Sequence, residues 1–155
     1  MTDLSSLYNE RILALAARIQ PAKRLDAPDA TASAHSKLCG STIAVDLKMD
    51  GERVAEFGQT VKACLLGQAS ASVMAEHIVG ASEAELRQVA AQMRRMLKEN
   101  GPPPGGKWAD LAVLEPVREV KARHTSTLLV FEAVERALDS LPATGKAAVA
   151  APAVA

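Results

Sequence analysis

The chain has 155 residues, 48% of them hydrophobic and 3% aromatic, and its 18 basic residues balance 18 acidic ones. This length and apolar content suffice for one buried core, whereas the zero formal charge and the few aromatic rings argue against binding to nucleic acid or to an anionic membrane surface. No apolar run reaches the roughly 20 residues that span a bilayer, and the N-terminal residues lack a signal-peptide layout, so we expect a soluble, cytoplasmic protein.

The first part of the chain predicts one helix followed by an edge strand or a loop. Apolar residues recur at helical intervals over residues 4–19, and Pro21 ends the pattern. Residues 22–37 are polar and rich in alanine without a strong period, and Pro28 restricts them to an edge strand or a loop.

A β-hairpin is predicted next. Polar and apolar residues alternate over residues 42–49, Asp50-Gly51 has the composition of a tight turn, and residues 54–61 read as the returning strand. Alternation on both sides of an Asp-Gly turn is typical of an antiparallel hairpin.

From Cys64 onward the pattern becomes helical. One predicted helix begins at Cys64 and ends at Gly80, which we expect to be its C-cap. The next begins at Ser82, with Glu85 three residues later in a capping-box position, and it runs to Asn100.

The last third of the chain predicts a connector and a final helix. GPPPGG at residues 101–106 cannot be helical, and the short helical turn over residues 108–114 should be broken by Pro116. A helix is expected over about residues 125–140, with Thr125 or Ser126 as its N-cap. The sequence therefore predicts a single α+β domain over residues 1–141, in which a small antiparallel sheet packs against several helices, and a disordered Ala/Pro-rich tail over residues 142–155.

The chain has two cysteines, Cys39 and Cys64, far apart in the sequence. Cys64 is predicted at the junction of a strand and a helix, where the positive end of the helix dipole favours the thiolate that binds metal or accepts sulfur. Cys39 precedes Gly40, which removes bulk beside the sulfur. A buried structural role remains the alternative for a lone thiol in a reducing compartment.

Among the three histidines, His124 is the strongest ligand candidate because it immediately precedes the last predicted helix. His35 and His77 have weaker claims, the first in a strand or loop and the second more than three helical turns beyond Cys64. We find no catalytic triad, phosphate-binding loop or paired carboxylates, and we therefore expect a protein that is not an enzyme.

Four stretches resemble the NifU N-terminal, IscU and SufU group of iron–sulfur cluster assembly scaffolds. They are LYNERIL near the start, Cys39-Gly40, the helix CLLGQASASVMAEHIVG and the segment VREVKARHTSTLLVFEAVERAL. The insertion around GPPPGG is closer to the SufU type. The resemblance implies an α+β fold, ligands for a nascent [2Fe–2S] cluster, iron or zinc, sulfur supplied by a cysteine desulfurase, and recipient apo iron–sulfur proteins.

The chain departs from this family at two of its four usual ligand positions. The resemblance places Ser41 where the family has an aspartate, and Ser126 where it has a third cysteine. Serine is a poor ligand for a soft or borderline metal. The ligand set that we predict is therefore Cys39 and Cys64, which the resemblance implies, together with His124, which is our own inference from its position.

Three functions remain open on the sequence. The first is a scaffold or carrier that binds iron or a [2Fe–2S] cluster through cysteine thiolates and accepts sulfur from a cysteine desulfurase. The second is a zinc-binding sulfur acceptor that works with a desulfurase without building a cluster. The third is a degenerate member that keeps the fold only for protein contacts.

Overall fold

The predicted hairpin supplies two strands of a three-stranded antiparallel sheet. The structure, a computed structural model, describes residues 10–20, 23–37 and 40–141. Within them the strand order is β1-β2-β3, with β1 at Ala30–His35, β2 at Thr42–Asp50 and β3 at Arg53–Lys62. Gly51 occupies the turn with φ of 65°, which glycine adopts without strain. The hairpin is confirmed, and within the stretch predicted as an edge strand or a loop, Ala30–His35 is the edge strand β1.

Helices cover one face of the sheet and enclose the core. Four α-helices are described: α1 at Glu10–Ala17, α2 at Leu65–His77, α3 at Glu83–Lys98 and α4 at His124–Asp139. Helix α4 packs on β1 and β2, α2 packs on α4, and α1 packs on α2. Ile43, Val45 and Leu47 alternate along β2 and are fully buried beneath these helices. The α+β prediction is confirmed.

The second face of the sheet is covered by the chain that follows α1. Residues 23–25 cross the sheet so closely at Gly58 that a Cβ there would lie 2.6 Å from the Lys23 carbonyl oxygen. Asp46 on the adjacent strand accepts hydrogen bonds from the Leu25 N–H and the Arg24 guanidinium. This covering is limited to the part of the face at Asp46 and Gly58, where backbone contact and a buried carboxylate take the place of a helix, whereas Thr31, Ser33 and His35 on the same face are exposed.

Helix boundaries follow most of the sequence signals. Ser82 caps α3, since its Oγ accepts the Glu85 N–H at 3.1 Å. Helix α2 ends at His77 with Ile78 as its C-cap, so the prediction of Gly80 as the C-cap is wrong, although Gly80 has the positive φ (93°) that is common just after a helix. The first predicted helix is described only from residue 10, and its residues 4–9, like the tail at 142–155, lie outside the described part of the chain.

The segment before α4 is the main difference from the expected structure. A 3₁₀-helix spans Gly106–Glu119, and Pro116, which we expected to break a shorter turn, lies inside it. The segment is anchored by Trp108, whose Nε1–H donates to the Glu85 carboxylate at 2.8 Å. On the side of the segment that faces the helices, Leu111, Leu114 and Val117 are fully buried. Their burial stabilises the segment in spite of the helix-breaking tendency of Pro116. In the described residues, no helix is both long and apolar enough to cross a bilayer.

Candidate functional site

The candidate site is centred on Cys64, where β3 leads into α2. Cys64 is the N-cap residue of α2, in extended conformation with φ −67° and ψ 173°, and its side chain is half-buried. Its carbonyl accepts the first helical hydrogen bond, from the Gln68 N–H at 2.9 Å. Its thiol therefore stands at the end of the helix where unpaired N–H groups and the positive end of the dipole lie.

Ser41 approaches Cys64 from the neighbouring strand. The pairing of Thr42 with Lys62 brings the beginning of β2 beside the end of β3, so that Ser41 lies next to the α2 junction. The Cys64 N–H donates to Ser41 Oγ at 3.4 Å, and Ser41 is 3% exposed. Ser41 also closes the loop after β1, since its carbonyl accepts the Ser36 N–H at 2.8 Å. Cys39 belongs to this loop but lies outside the described residues.

The beginning of α4 reaches the same region through Gly67. A Cβ at Gly67 would lie 3.3 Å from the Ser126 carbonyl oxygen and 2.7 Å from the Ala63 Cβ, so the first turns of α2 and α4 are in backbone contact. The small residues of α2 permit this approach: Ala69, Ser70 and Ala71 are fully buried. The first turns of the two helices that carry Cys64 and His124 are thus adjacent.

His124 lies at the first position of α4 and is 6% exposed. Its Nε2 is 3.1 Å from the Val117 carbonyl oxygen and 3.2 Å from that of Arg118. Carbonyl oxygens only accept hydrogen bonds, so Nε2 carries the proton, and in the neutral imidazole Nδ1 is left with its lone pair. Among the described residues Nδ1 has no hydrogen-bond partner.

Ser126 faces into the protein. Its side chain is 1% exposed and its Oγ donates to the Arg123 carbonyl at 3.2 Å. Thr125, one residue earlier, is exposed. Neither residue is the N-cap that we expected, because α4 begins after Arg123 without a side-chain cap. The N-cap prediction is therefore wrong: the 3₁₀ turn at residues 121–123 runs directly into α4 and removes the need for one.

Basic residues are frequent in the sequence on either side of Ser41, Cys64 and His124, a feature that our sequence reasoning missed. Residues 36–41, 61–66 and 120–127 contain Lys37, Lys62, Lys121 and Arg123 and no acidic residue. Glu119, which is exposed, directly precedes the last of these segments. Because the formal charge of the whole chain is zero, the composition alone did not draw attention to these basic residues.

A second group of potential ligands lies elsewhere. Oxygen and nitrogen atoms of Glu76, His77 and Asp110 fall within 4.8 Å of one another. Arg18 already binds both carboxylates, with Nη2 2.6 Å from Glu76 and 3.0 Å from Asp110, and they hold the pKa of its guanidinium above the usual value. We interpret this group as an ion-pair network that fastens α1 to α2 and to the 3₁₀-helix.

No protein-family model and no curated protein matches the sequence. The fold is similar to the crystal structure of a nitrogen-fixing NifU-like protein (N-terminal) from Brucella abortus, with 51% identity, a TM-score of 0.86, and coverage of 89% of this chain and 96% of that one. It is also similar to a putative iron–sulfur cluster assembly scaffold protein for the SUF system from Fervidobacterium islandicum AW-1, with 18% identity, a TM-score of 0.79, and coverage of 88% and 99%. The second similarity concerns the fold alone.

Proposed function

Because the chain belongs to the family of NifU N-terminal, IscU and SufU proteins, we propose that it is a scaffold on which iron and sulfur are assembled before transfer to other proteins. One observation carries this proposal: a half-exposed thiol stands at the start of α2, beside Ser41 and beside the first turn of α4. Cys64 and Cys39 are the proposed thiolate ligands, and His124 the proposed nitrogen ligand.

The hydrogen bonds of His124 fit a ligand role. A histidine that binds metal through one ring nitrogen usually donates its other N–H to a carbonyl or carboxylate, which fixes the tautomer. His124 Nε2 donates to the Val117 and Arg118 carbonyls in this way, so Nδ1 would be the ligand atom. Two sulfurs and one nitrogen suit either iron or zinc, and we propose iron or a transient [2Fe–2S] cluster as the cargo.

Local charge also supports this cargo. A cluster held by thiolates is anionic, and the cations of the three segments around the site would offset that charge. Lys62 is exposed two residues before Cys64, and Arg123 is half-buried beside His124. The same positive surface would attract an acidic surface on a partner, for which we propose a cysteine desulfurase and, later, recipient apo-proteins.

Sulfur delivery requires an accessible thiolate, and Cys64 is the described residue that offers one. In the proposed step, the Cys64 thiolate attacks the outer sulfur of a persulfide on the desulfurase. A new S–S bond forms on Cys64, the S–S bond of the donor breaks, and the donor cysteine leaves as a thiolate, so that no external oxidant or reductant is needed. The unpaired N–H groups at the start of α2 stabilise negative charge at this position.

The decisive test is metal and acid-labile sulfide analysis of anaerobically purified protein, repeated for Cys39→Ala and Cys64→Ala. We expect iron and sulfide in the unmodified chain and loss of both in each variant. Ser126→Ala is the matched control, because its hydroxyl serves the α4 backbone, and it should retain both elements. Zinc without sulfide would instead favour the sulfur-acceptor alternative, and metal-free protein that takes up neither iron nor sulfide would contradict the scaffold proposal.

His124 can be tested without disturbing its structural hydrogen bonds. In His124→Gln the amide N–H₂ can replace the Nε2–H donor toward Val117 and Arg118, whereas the Nδ1 ligand atom is removed. We expect unchanged thermal stability and a loss of metal affinity of at least about tenfold, the size of effect found even for indirect partners of metal ligands. Unchanged affinity in this variant would remove His124 from the ligand set.

A further inference from the structure

A cavity of about 380 Å³ lies between the edge of β3 and the C-terminal end of α2. Its walls come from residues 57–59 of β3, from Ala75 and Val79 at the end of α2, and from Gln20 and Lys23 after α1. Cys64 lies at the other end of α2, about 20 Å away along a helix of this length, so the cavity is separate from the candidate metal site. Its volume lies at the lower end of the range of about 300–1,000 Å³ that is typical of small-molecule sites.

Gln59 brings a buried acceptor without a donor to this cavity. The residue is 7% exposed, and its Nε2 donates to the Ala71 carbonyl at 3.1 Å, which establishes which end of the amide is the oxygen. Gln59 Oε1 is buried and has no hydrogen-bond partner among the described residues. Leaving a buried acceptor unpaired costs free energy. A ligand that offers an N–H or O–H group inside the cavity would remove this cost.

The edge of β3 beside the cavity is open over a short stretch only. At one end the Lys23 N–H donates to the Gln59 carbonyl at 3.1 Å, and at the other the Val54 carbonyl accepts the Gly80 N–H at 2.8 Å. Between these contacts, residues 55–58 have no neighbouring strand on this side among the described residues. An extended peptide that paired with β3 here would collide with the chain at both ends of the gap. The gap therefore favours a small molecule over a peptide strand.

The other walls specify an apolar body and a negative charge. Phe57 is half-buried and Val79 is 55% exposed, so apolar surface is left that a ligand can remove from water. Among the described residues that line the cavity, Lys23 alone is charged, and it is exposed. An anionic group on the ligand would therefore be attracted to Lys23 and would meet no carboxylate in the walls.

We propose that this cavity binds a small apolar carboxylic acid that also carries a hydroxyl or N–H group. The alkyl part of the ligand packs on Phe57 and Val79, the hydroxyl or N–H group donates to Gln59 Oε1, and the carboxylate pairs with the Lys23 ammonium group. Lys23 lies across the edge of β3 from α2, so the carboxylate is kept away from the negative end of the α2 dipole. This inference is independent of the proposed scaffold function.

The test is an NMR titration of the isotope-labelled full chain with leucic acid, an α-hydroxy acid with a branched alkyl chain. We expect a dissociation constant at or below about 1 mM, with shifts at the amides of Phe57, Gln59 and Val79. Isocaproic acid has the same skeleton without the hydroxyl and should bind about three- to tenfold more weakly, the effect of one hydrogen bond. The primary amide of leucic acid lacks the charge and should bind about two- to fivefold more weakly.

Two exposed residues allow the walls to be tested without disturbing the core. Lys23→Gln should lower the affinity for leucic acid about two- to fivefold and abolish its preference over the amide, whereas Lys98→Gln, an exposed change on α3, should do neither. Val79→Ser should weaken binding at least about threefold through loss of apolar contact. Leu13→Ser is the matched control, since Leu13 is also an exposed large hydrophobic residue but does not line the cavity.

Each outcome has a separate meaning. Absence of shifts at ten times the expected dissociation constant, or shifts confined to residues around Cys64, would overturn the inference. Equal affinities for leucic and isocaproic acids would overturn the role of Gln59 Oε1, and equal effects of Lys23→Gln and Lys98→Gln would overturn the ion pair. None of these results bears on the scaffold function, because metal and sulfide analysis tests that function separately.

Discussion

The buried carboxylate of Asp46 should make the stability of this protein depend on acid pH. Asp46 is 1% exposed and receives two hydrogen bonds from Arg24, at 2.6 and 2.8 Å, besides those from the Leu25 N–H and the Thr31 hydroxyl. The Arg24 hydrogen bonds are the largest cause that lowers the pKa of Asp46 to about 2. The carboxylate thus joins the segment that covers the outer face of the sheet to β2.

The contribution of the Asp46 carboxylate to the free energy of unfolding follows from its pKa. The difference between the ordinary value of 3.8 and about 2 corresponds to about 2 kcal/mol, at about 1.4 kcal/mol for each pKa unit. Because the pKa is lower in the folded protein, the stabilisation is fully present above pH 4 to 5. It is lost progressively as the pH falls toward 2, where the folded protein also takes up the proton.

The assay is urea denaturation at several pH values, with Asp46→Asn compared with the unmodified chain. We expect the variant to be less stable by about 2 kcal/mol at pH 7, and the difference to shrink between pH 5 and pH 2. Asp26→Asn is the control, since Asp26 is an exposed aspartate on the same segment. A stability difference between unmodified chain and Asp46→Asn that stays constant from pH 7 to pH 3 would refute the ion-pair explanation.

Three further changes test individual contacts of the fold, the first of them at the site. Gly67→Ala should destabilise by about 1–3 kcal/mol and weaken metal binding, because its methyl group would lie 2.7 Å from the Ala63 Cβ and 3.3 Å from the Ser126 carbonyl oxygen of α4. Ser82→Ala should cost about 1 kcal/mol in chemical denaturation through loss of the α3 cap. Trp108→Phe should lower the melting temperature without changing metal binding, because it removes the indole donor to Glu85 far from Cys64.

Gly105→Ala provides the matched control for Gly67→Ala. It lies in open space with an ordinary φ of −116°, so an added methyl group meets nothing within 4 Å. Equal effects of the two substitutions would mean that the contact between α2 and α4 is not the cause. For Ser82, full stability of the alanine variant and lower stability of a threonine variant would contradict the capping argument.

The elements that could be predicted from the sequence are those specified by local signals. The Asp50-Gly51 turn, the alternation on both sides of it and the Ser82 cap each act within a few residues, and the structure has all three. The 3₁₀-helix at Gly106–Glu119 could not be predicted in the same way. Its form depends on the anchoring of Trp108 to Glu85, a contact between residues that are distant in the sequence.

The same distinction applies to the candidate site. Local sequence signals predict that a helix begins at Cys64, and in the structure Cys64 is the N-cap of α2. The orientation of Ser126 is not local: as part of α4 it turns inward and bonds to the Arg123 carbonyl, while Thr125 points outward. A sequence pattern can therefore identify the stretch that reaches the site. Which side chain of that stretch is accessible depends on the orientation of α4 about its axis, and this orientation is determined by the burial of α4 against the sheet and α2.

The substituted serines indicate how such a site can change without loss of the fold. A residue in the position of Ser41 can have two separate roles: its side chain can bind metal, and its side chain and backbone can hold the loop through hydrogen bonds. Ser41 keeps the second role, since it accepts the Cys64 N–H and closes the loop through its carbonyl. A hydroxyl at this buried position avoids the desolvation cost that a carboxylate would have there. With fewer ligands in the chain, we expect the metal to be bound less tightly. A substitution at position 41 should therefore change metal retention more than it changes the stability of the fold.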